Sequence, residues 1–149
     1  MNDSAHQHSA AVQQVEREHE ELRDAIKSIH TTLADPDSAS TLLAEQLASF
    51  CEKLESHFRT EEDGGFFAEI TNSAPRLSDQ ADKLCHEHET MLNEAKTVRD
   101  QTRRLADSEG DRKGISAAFH AFSKQLMHHE SEENDMLQKA YWEDIGPAD

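Results

Sequence analysis

Apolar residues recur at steps of three and four along most of this chain, which is the spacing that places side chains on one face of an α-helix. No segment alternates apolar and polar residues in the way that predicts a strand. Four such stripes predict helices over about residues 5–34, 38–63, 76–107 and 112–144. The 149 residues are therefore predicted to form a single all-α domain, 1–149.

Short segments containing proline or glycine separate the stripes. Residues 35–38 are expected to end the first helix and to cap the second. The glycine pair at 64–65 is expected to weaken or kink the second helix. The third helix is predicted to follow Pro75, and the fourth to follow Gly110 and Gly114. The apolar residues after the glycine pair are expected to pack under the end of the bundle: Phe66, Phe67 and Ile70.

Six polar residues occupy positions at which the stripes face inward. They form a lone histidine, a His/Glu pair four residues apart, a second lone histidine and a second pair: His19, His57, Glu61, His88, His129 and Glu133. Residues four apart lie on one helix face, roughly 6 Å apart along the axis, so each pair could reach one ion or two adjacent ions. Imidazole nitrogens with carboxylate oxygens suit iron, and zinc or manganese are alternatives. The pattern predicts a metal cage inside a helical bundle.

The first two stripes match the last two position by position. The apolar residues around His19 stand at the same offsets as those around His88, and a glutamate precedes each histidine, Glu18 and Glu87. The apolar residues before His57 match those before His129. The chain therefore resembles one helical hairpin used twice, with each half supplying two histidines and one carboxylate.

The fourth helix contains a second pair with the same spacing, His128 and Glu132. The phase of the stripe favours His129 and Glu133, because apolar residues precede His129 by three, seven and ten positions, as they precede His57. The pair His128/Glu132 stays open as the alternative register.

The remaining histidines lack such support. A single histidine on an apolar stripe is more often hydrogen-bonded in the core than a ligand, and a metal-free interaction bundle is the corresponding alternative for the whole chain. His86 and Glu87 flank His88 and are expected on a solvated face, with support of the ligands as the alternative. Solvated positions are expected for His6, His8, His30 and His120.

The amino-acid composition limits the classes of molecule that the chain is expected to bind and its expected location. The chain has 31 acidic and 15 basic residues and a formal charge of -16, which disfavours nucleic acid and anionic membranes and attracts cations. No apolar run has membrane-spanning length. Cys51 and Cys85 do not have zinc-site spacing, so a cytoplasmic, reducing location is expected, with a redox pair as the alternative.

The succession of H, HxxxE, H and HxxxE across four helices resembles the hemerythrin-like, or HHE cation-binding, domain over nearly the whole chain. The resemblance implies an up-down-up-down four-helix bundle with two iron ions, bridged by two carboxylates and an oxo or hydroxo group. It also implies that His19, His57, His88 and His129 are terminal ligands and that Glu61 and Glu133 are the bridges. Ferritin-like proteins match less well, because they use Glu-x-x-His and more carboxylates.

One departure bears on function. The oxygen-carrying hemerythrins have a fifth histidine four residues from the third-helix histidine, whereas Leu84 and Leu92 stand four before and four after His88. A carboxylate such as Glu62 or Glu20 could complete the coordination of the ion that lacks this histidine.

The resemblance implies binding or sensing of dioxygen or nitric oxide. The alternatives are an enzyme acting on peroxide or nitric oxide, with Tyr141 as the only tyrosine, or an iron donor in iron-sulfur repair. The sequence names no protein partner.

Overall fold

Four long helices pack side by side as an antiparallel bundle in the computed structural model, which describes residues 9–107 and 112–145. The long helices are α1 (Ala10–Ala34), α2 (Ser40–Asp63), α4 (Ser78–Asp107) and α5 (Arg112–Ile145). A short helix α3 (Phe66–Ser73) and a 3-10 turn (Pro75–Leu77) connect α2 to α4. Helices α1 and α4 each contact both α2 and α5. The all-α, up-down-up-down fold is confirmed, and the described residues contain no strand.

The helix boundaries differ from the prediction mainly around the first loop. Helix α1 begins at Ala10, where the Ser9 hydroxyl accepts a hydrogen bond from the Val12 N–H at 3.2 Å; the predicted positions 5–8 lie outside the described residues. The expectation that residues 35–38 cap the second helix is wrong. The N-cap of α2 is Ala39, which makes no side-chain cap, while the Ser38 hydroxyl donates to the carbonyl oxygen of Thr32 at 2.7 Å. Ser38 thus gives the Thr32 carbonyl, which also accepts from the Asp35 N–H at 3.2 Å, a second donor at the end of α1.

The glycine pair ends α2 and reverses the chain into α3. Gly65 has φ of 98°, in the left-handed region that favours glycine, and it directly precedes α3. The short helix then turns its apolar residues into the bundle end, as predicted: Phe66, Phe67 and Ile70 are all buried.

Two apolar clusters form the core, one toward each end of the bundle. The larger cluster contains the halves of the four long helices that lie toward the α1–α2 loop, including Leu47, Leu54 and Phe122. The smaller cluster joins α3 to the opposite ends of α1, α4 and α5, including Val15 and Met136. Along α1, α4 and α5, the predicted cage positions fall between the residues of these two clusters, and on α2 they lie at the end of the larger cluster. None of the helices in the described ranges combines the length and apolar character needed to cross a membrane.

Candidate metal centre

The structure brings all six predicted cage residues together between the two apolar clusters. Each is 3% exposed or less: His19, His57, Glu61, His88, His129 and Glu133. The competing pair on α5 faces outward, because the His128 side chain is 77% exposed. Helical phase therefore separates the two registers as the stripe predicted, with His129 turned inward and His128 on the surface.

The two buried carboxylates each direct one oxygen toward each half of the cage. Glu61 Oε2 lies 3.4 Å from His19 Nε2 and 3.1 Å from His57 Nε2, while its Oε1 lies 2.9 Å from His88 Nε2. Glu133 Oε1 lies 3.1 Å from His19 Nε2, while its Oε2 lies 3.1 Å from His129 Nε2 and 3.8 Å from His88 Nε2. The carboxylates thus link two donor groups, one around His19 and His57 and the other around His88 and His129.

Carboxylates outside the cage hold three of the histidine rings through their other nitrogen. Nδ1 of His57 donates to Glu18 at 2.8 Å, and Nδ1 of His129 donates to Glu87 at 2.7 Å. Nδ1 of His88 donates to Glu62 at 2.6 Å. When such a ring is neutral and its proton stays on Nδ1, Nε2 carries a lone pair, so these three rings can present a donor nitrogen to a cation at the centre.

Two of the atoms that face the centre, a histidine nitrogen and a carboxylate oxygen, lie close together without forming a hydrogen bond. His88 Nε2 and Glu61 Oε1 are 2.9 Å apart, yet neither makes a hydrogen bond of acceptable geometry. Lone pairs of imidazole and carboxylate that converge in a dry core need a proton or a cation between them. This donor set therefore fits a bound metal ion.

In the metal-free protein, protons on the histidines lie between the converging nitrogen and oxygen atoms. Burial lowers the pKa of His19, but hydrogen bonds to Glu133 and Glu61 outweigh burial and raise it to about 10. The same opposition, with Glu133 and Glu61 again the main partners, raises the pKa of His88 to about 10. Burial raises the pKa of Glu61, but the neighbouring imidazoles of His19, His57 and His88 outweigh burial and hold it well below its usual range.

Two overlapping sets of four residues could each hold one ion. The first is His19, His57, Glu61 and Glu133; the second is His88, His129, Glu61 and Glu133. The donor atoms within each set lie within 4.8 Å of one another. Mixed nitrogen and oxygen ligands of this kind suit iron, zinc or manganese. A third set, Glu62, Cys85 and His88, lies on the outer side of His88, where Glu62 is already hydrogen-bonded to Nδ1.

The hydrogen bonds from the histidines to the carboxylates outside the cage were not predicted from the sequence. The expectation that Glu87 lies on a solvated face is wrong, because Glu87 is partly buried and hydrogen-bonded to His129, whereas His86 is exposed as expected. The signal was present in the repeat: Glu18 and Glu87 each precede the lone histidine of their half. An α-helix turns the residue before an inward histidine toward the neighbouring helix, where it meets the second histidine of the same half.

The other singled-out residues lie away from the two donor sets. Glu20 and His120 are exposed, whereas His30 is half-buried, with its ring centroid 5.1 Å from that of Phe119. The expectation of a solvated His30 is therefore wrong in part. The Tyr141 hydroxyl donates to Glu69 at 3.2 Å, near α3. Cys51 and Cys85 are free thiols, and His6 and His8 lie outside the described residues.

The surroundings of the two donor groups differ. On the His88 side, the Phe58 ring stacks on the imidazole with 3.9 Å between centroids and 7° between planes. A cavity of about 350 Å³ reaches His88 there, lined also by Leu92 and Cys85. On the side of α1, close to Arg23, lies Glu130, which is 2% exposed. Burial raises the pKa of Glu130, while the positive charges of His19 and His57 act in the opposite direction.

Comparison with known protein families identifies the family to which the chain belongs. The sequence matches the hemerythrin HHE cation binding domain over residues 10–141, a span that includes α1, α2, α4, most of α5 and all six cage residues. Comparison with curated proteins and with solved structures gave no match. The match covers most of the chain and agrees with the helical bundle and its buried histidine and glutamate residues. The chain therefore belongs to the hemerythrin HHE cation-binding family.

Proposed function

We propose that this protein binds two iron ions at the buried centre and uses them to bind or sense dioxygen or a related diatomic such as nitric oxide. The terminal ligands would be His19, His57, His88 and His129, and the bridges would be Glu61 and Glu133. The observation that carries the proposal is the division of the two carboxylates, each with one oxygen toward each donor group. Family membership supports cation binding.

The charges and donor types of the cage support two divalent ions. Two carboxylates shared between the ions offset part of the repulsion between them. The outer carboxylates Glu18, Glu62 and Glu87 hold imidazole protons on Nδ1 and so keep three Nε2 lone pairs directed inward. Iron supplies the chemistry that these side chains lack, namely reversible electron transfer and an open coordination position for a diatomic ligand.

The apolar surroundings support selective access by a small molecule. Phe58 covers one face of His88, and the apolar clusters on both sides of the centre exclude bulk water from it. The cavity beside His88 gives a small neutral molecule a route to the edge of the centre. Leu92, one of the two residues four positions from His88 where oxygen carriers could have a fifth histidine, lines this cavity. The half around His88 is therefore the side at which we expect the diatomic to arrive.

Metal analysis combined with an oxygen titration tests the proposal. Protein loaded with ferrous iron under nitrogen and then desalted should retain about two iron ions per chain, as expected from two overlapping donor sets. Reversible binding predicts a charge-transfer absorption band that appears with oxygen and fades under argon. Iron content near zero after anaerobic loading would overturn the two-ion centre.

The same titration separates binding from catalysis. Rapid oxidation that argon does not reverse would contradict oxygen carriage. Consumption of peroxide or nitric oxide over many cycles would identify an enzyme, and transfer of iron to an acceptor protein would identify an iron donor. The double variant His19→Ala/His88→Ala is the control, because it removes one nitrogen donor from each half and should abolish any metal-dependent signal.

A further inference from the structure

Glu130 is a buried carboxylate that the six-residue cage does not use. It is 2% exposed, and neither of its oxygens has a hydrogen-bond partner in the structure. Arg23 Nη1 lies 3.6 Å from Glu130 Oε1, beyond hydrogen-bond range, and the Arg23 side chain is 43% exposed to solvent that screens its charge. An isolated buried carboxylate is costly unless a cation or a hydrogen-bond donor compensates it. The metal-free chain therefore leaves Glu130 incompletely compensated.

The sequence repeat gives Glu130 an apolar counterpart. Glu130 directly follows His129, and Phe58 directly follows His57. Phe58 stacks on His88, the lone histidine of the other half. The two halves thus place different side chains, a benzene ring and a carboxylate, at equivalent positions of the repeat.

A second pair of equivalent positions also has a charged residue in one place and an apolar residue in the other. Arg23 stands four residues after His19, and Leu92 stands four residues after His88. Leu92 lines the cavity next to Phe58, whereas Arg23 approaches Glu130. At these two positions the residues beside His88, Phe58 and Leu92, are apolar, whereas their counterparts Glu130 and Arg23 are charged.

Glu130 belongs to the side of the centre that contains His19 and His57. Arg23, which approaches it, lies on α1 one turn beyond His19. His19 and its partner His57 belong to the first of the two donor groups.

Given the two-ion centre proposed above, we propose that Glu130 is the anionic partner of the metal ion held by His19 and His57, and that its charge makes this the tighter of the two metal subsites. The subsite of His88 and His129 has Phe58 at the equivalent position, and this ring supplies no such charge. Both subsites share Glu61 and Glu133 and have two histidines each, so the donor sets alone do not distinguish them.

Calorimetric titration of metal-free protein with ferrous iron under nitrogen tests this inequivalence. The intact chain should bind two ions, the first more tightly than the second. Glu130→Gln keeps the shape and removes the charge, so it should weaken the first binding step by about tenfold or more and leave the second within about threefold. Glu130→Asp keeps the charge and should retain most of the affinity of the first step.

The matched control is Glu20→Gln. Glu20 directly follows His19 and is exposed, so this substitution removes the same formal charge near the same ligand but from a solvated position. It should change neither binding step by more than about twofold, because water and salt screen exposed charges. Equal weakening by Glu20→Gln and Glu130→Gln would indicate a general charge effect and overturn the assignment.

Thermal unfolding of the metal-free variants distinguishes an anionic partner from a structural residue. Removing a buried charge that lacks hydrogen bonds should raise the unfolding midpoint of metal-free Glu130→Gln above that of the intact chain, although its first metal ion binds more weakly. A changed midpoint with both metal affinities unaltered would assign Glu130 a structural role and overturn the proposal.

Mössbauer spectra of the ferrous protein provide an independent readout. Unequal surroundings predict two quadrupole doublets for the intact chain, which should move closer together in Glu130→Gln. If the intact chain binds two ions but Glu130→Gln changes neither affinity nor spectrum, only the role of Glu130 fails. If the intact chain binds no iron, the proposed function itself fails.

Discussion

At the residue scale, the position of a histidine relative to the helix face decides whether it can contribute to the centre. His128 and His129 are adjacent, yet the His128 side chain is 77% exposed, whereas that of His129 is 2% exposed. Because neighbouring residues on a helix point about 100° apart, only one of them can face the bundle interior.

This difference predicts separate consequences for two alanine substitutions. His129→Ala should lower iron retention from about two ions per chain to one or fewer, because the second donor group loses one of its two nitrogens. His128→Ala should retain iron like the intact chain. Inductively coupled plasma mass spectrometry of protein loaded under nitrogen measures both, and the reverse ranking would favour the pair His128/Glu132.

The carboxylates outside the cage are expected to act through the histidines to which they are hydrogen-bonded. Glu87→Gln replaces a charged acceptor of the His129 Nδ1 proton with a neutral one and should weaken metal binding by about 10- to 100-fold, the usual effect of losing such a partner. Glu89→Gln is the matched control, since Glu89 is exposed two residues further along the same helix. Competition with a chelator measures both affinities, and equal affinities would exclude an orienting role for Glu87.

At the element scale, the start of α3 depends on the backbone conformation of Gly65 rather than on side-chain packing. Gly65 has φ of 98°, and a Cβ added there would meet no atom within 4 Å. The constraint is therefore conformational, because L-residues with a Cβ disfavour the left-handed region.

Gly65→Ala should accordingly destabilise the fold by about 1–2 kcal/mol without steric overlap. Gly65→Asn should cost less, since asparagine enters the left-handed region more readily than alanine. Urea denaturation monitored by circular dichroism gives both values. A stability of Gly65→Ala equal to that of the intact chain would show that the turn accommodates alanine in another conformation.

At the scale of the whole molecule, protons on buried histidines stabilise the metal-free bundle. The pKa values of His19 and His88 are about 10 in the folded protein against an ordinary 6.5. Raised values mean that folding favours the protonated forms. Their stabilisation is complete below pH 6.5, the ordinary value, and disappears as pH rises through about 10.

The metal-free protein should therefore unfold at a lower urea concentration at pH 10 than at pH 7. Glu133→Gln removes the partner that contributes most to raising both pKa values, so this variant should show a smaller difference between the two conditions. Equal midpoints for the intact chain at both pH values would contradict protonated histidines in the metal-free centre.

Metal binding should stabilise the whole bundle, because the cage draws donors from all four long helices and does not exist in the unfolded chain. Ferrous iron at about 100 times its dissociation constant should add about 2.7 kcal/mol per ion, and a chelator should reverse the gain. Thermal unfolding under nitrogen with and without chelator measures it. The double variant His19→Ala/His88→Ala should show no metal-dependent shift.

The sequence by itself determined the four long helices, their inward faces and the six positions that meet between them. It also distinguished His129 from His128, because helical phase is a local property that periodic apolar residues report. The same reasoning failed at Ser38, where two helix ends compete for one hydroxyl. Local signals do not reveal which end receives the hydrogen bond, and the structure assigns it to α1.

Only the tertiary structure decided how those faces meet. The rotation and separation of neighbouring helices determine that Glu87 reaches His129 and that each bridging carboxylate directs one oxygen to each half. The same packing buries Glu130 on the His19 side while its counterpart Phe58 stacks on His88. Contacts between helices join residues far apart in the chain, so no local pattern specifies them, and the difference between the two halves becomes visible only when the helices are packed.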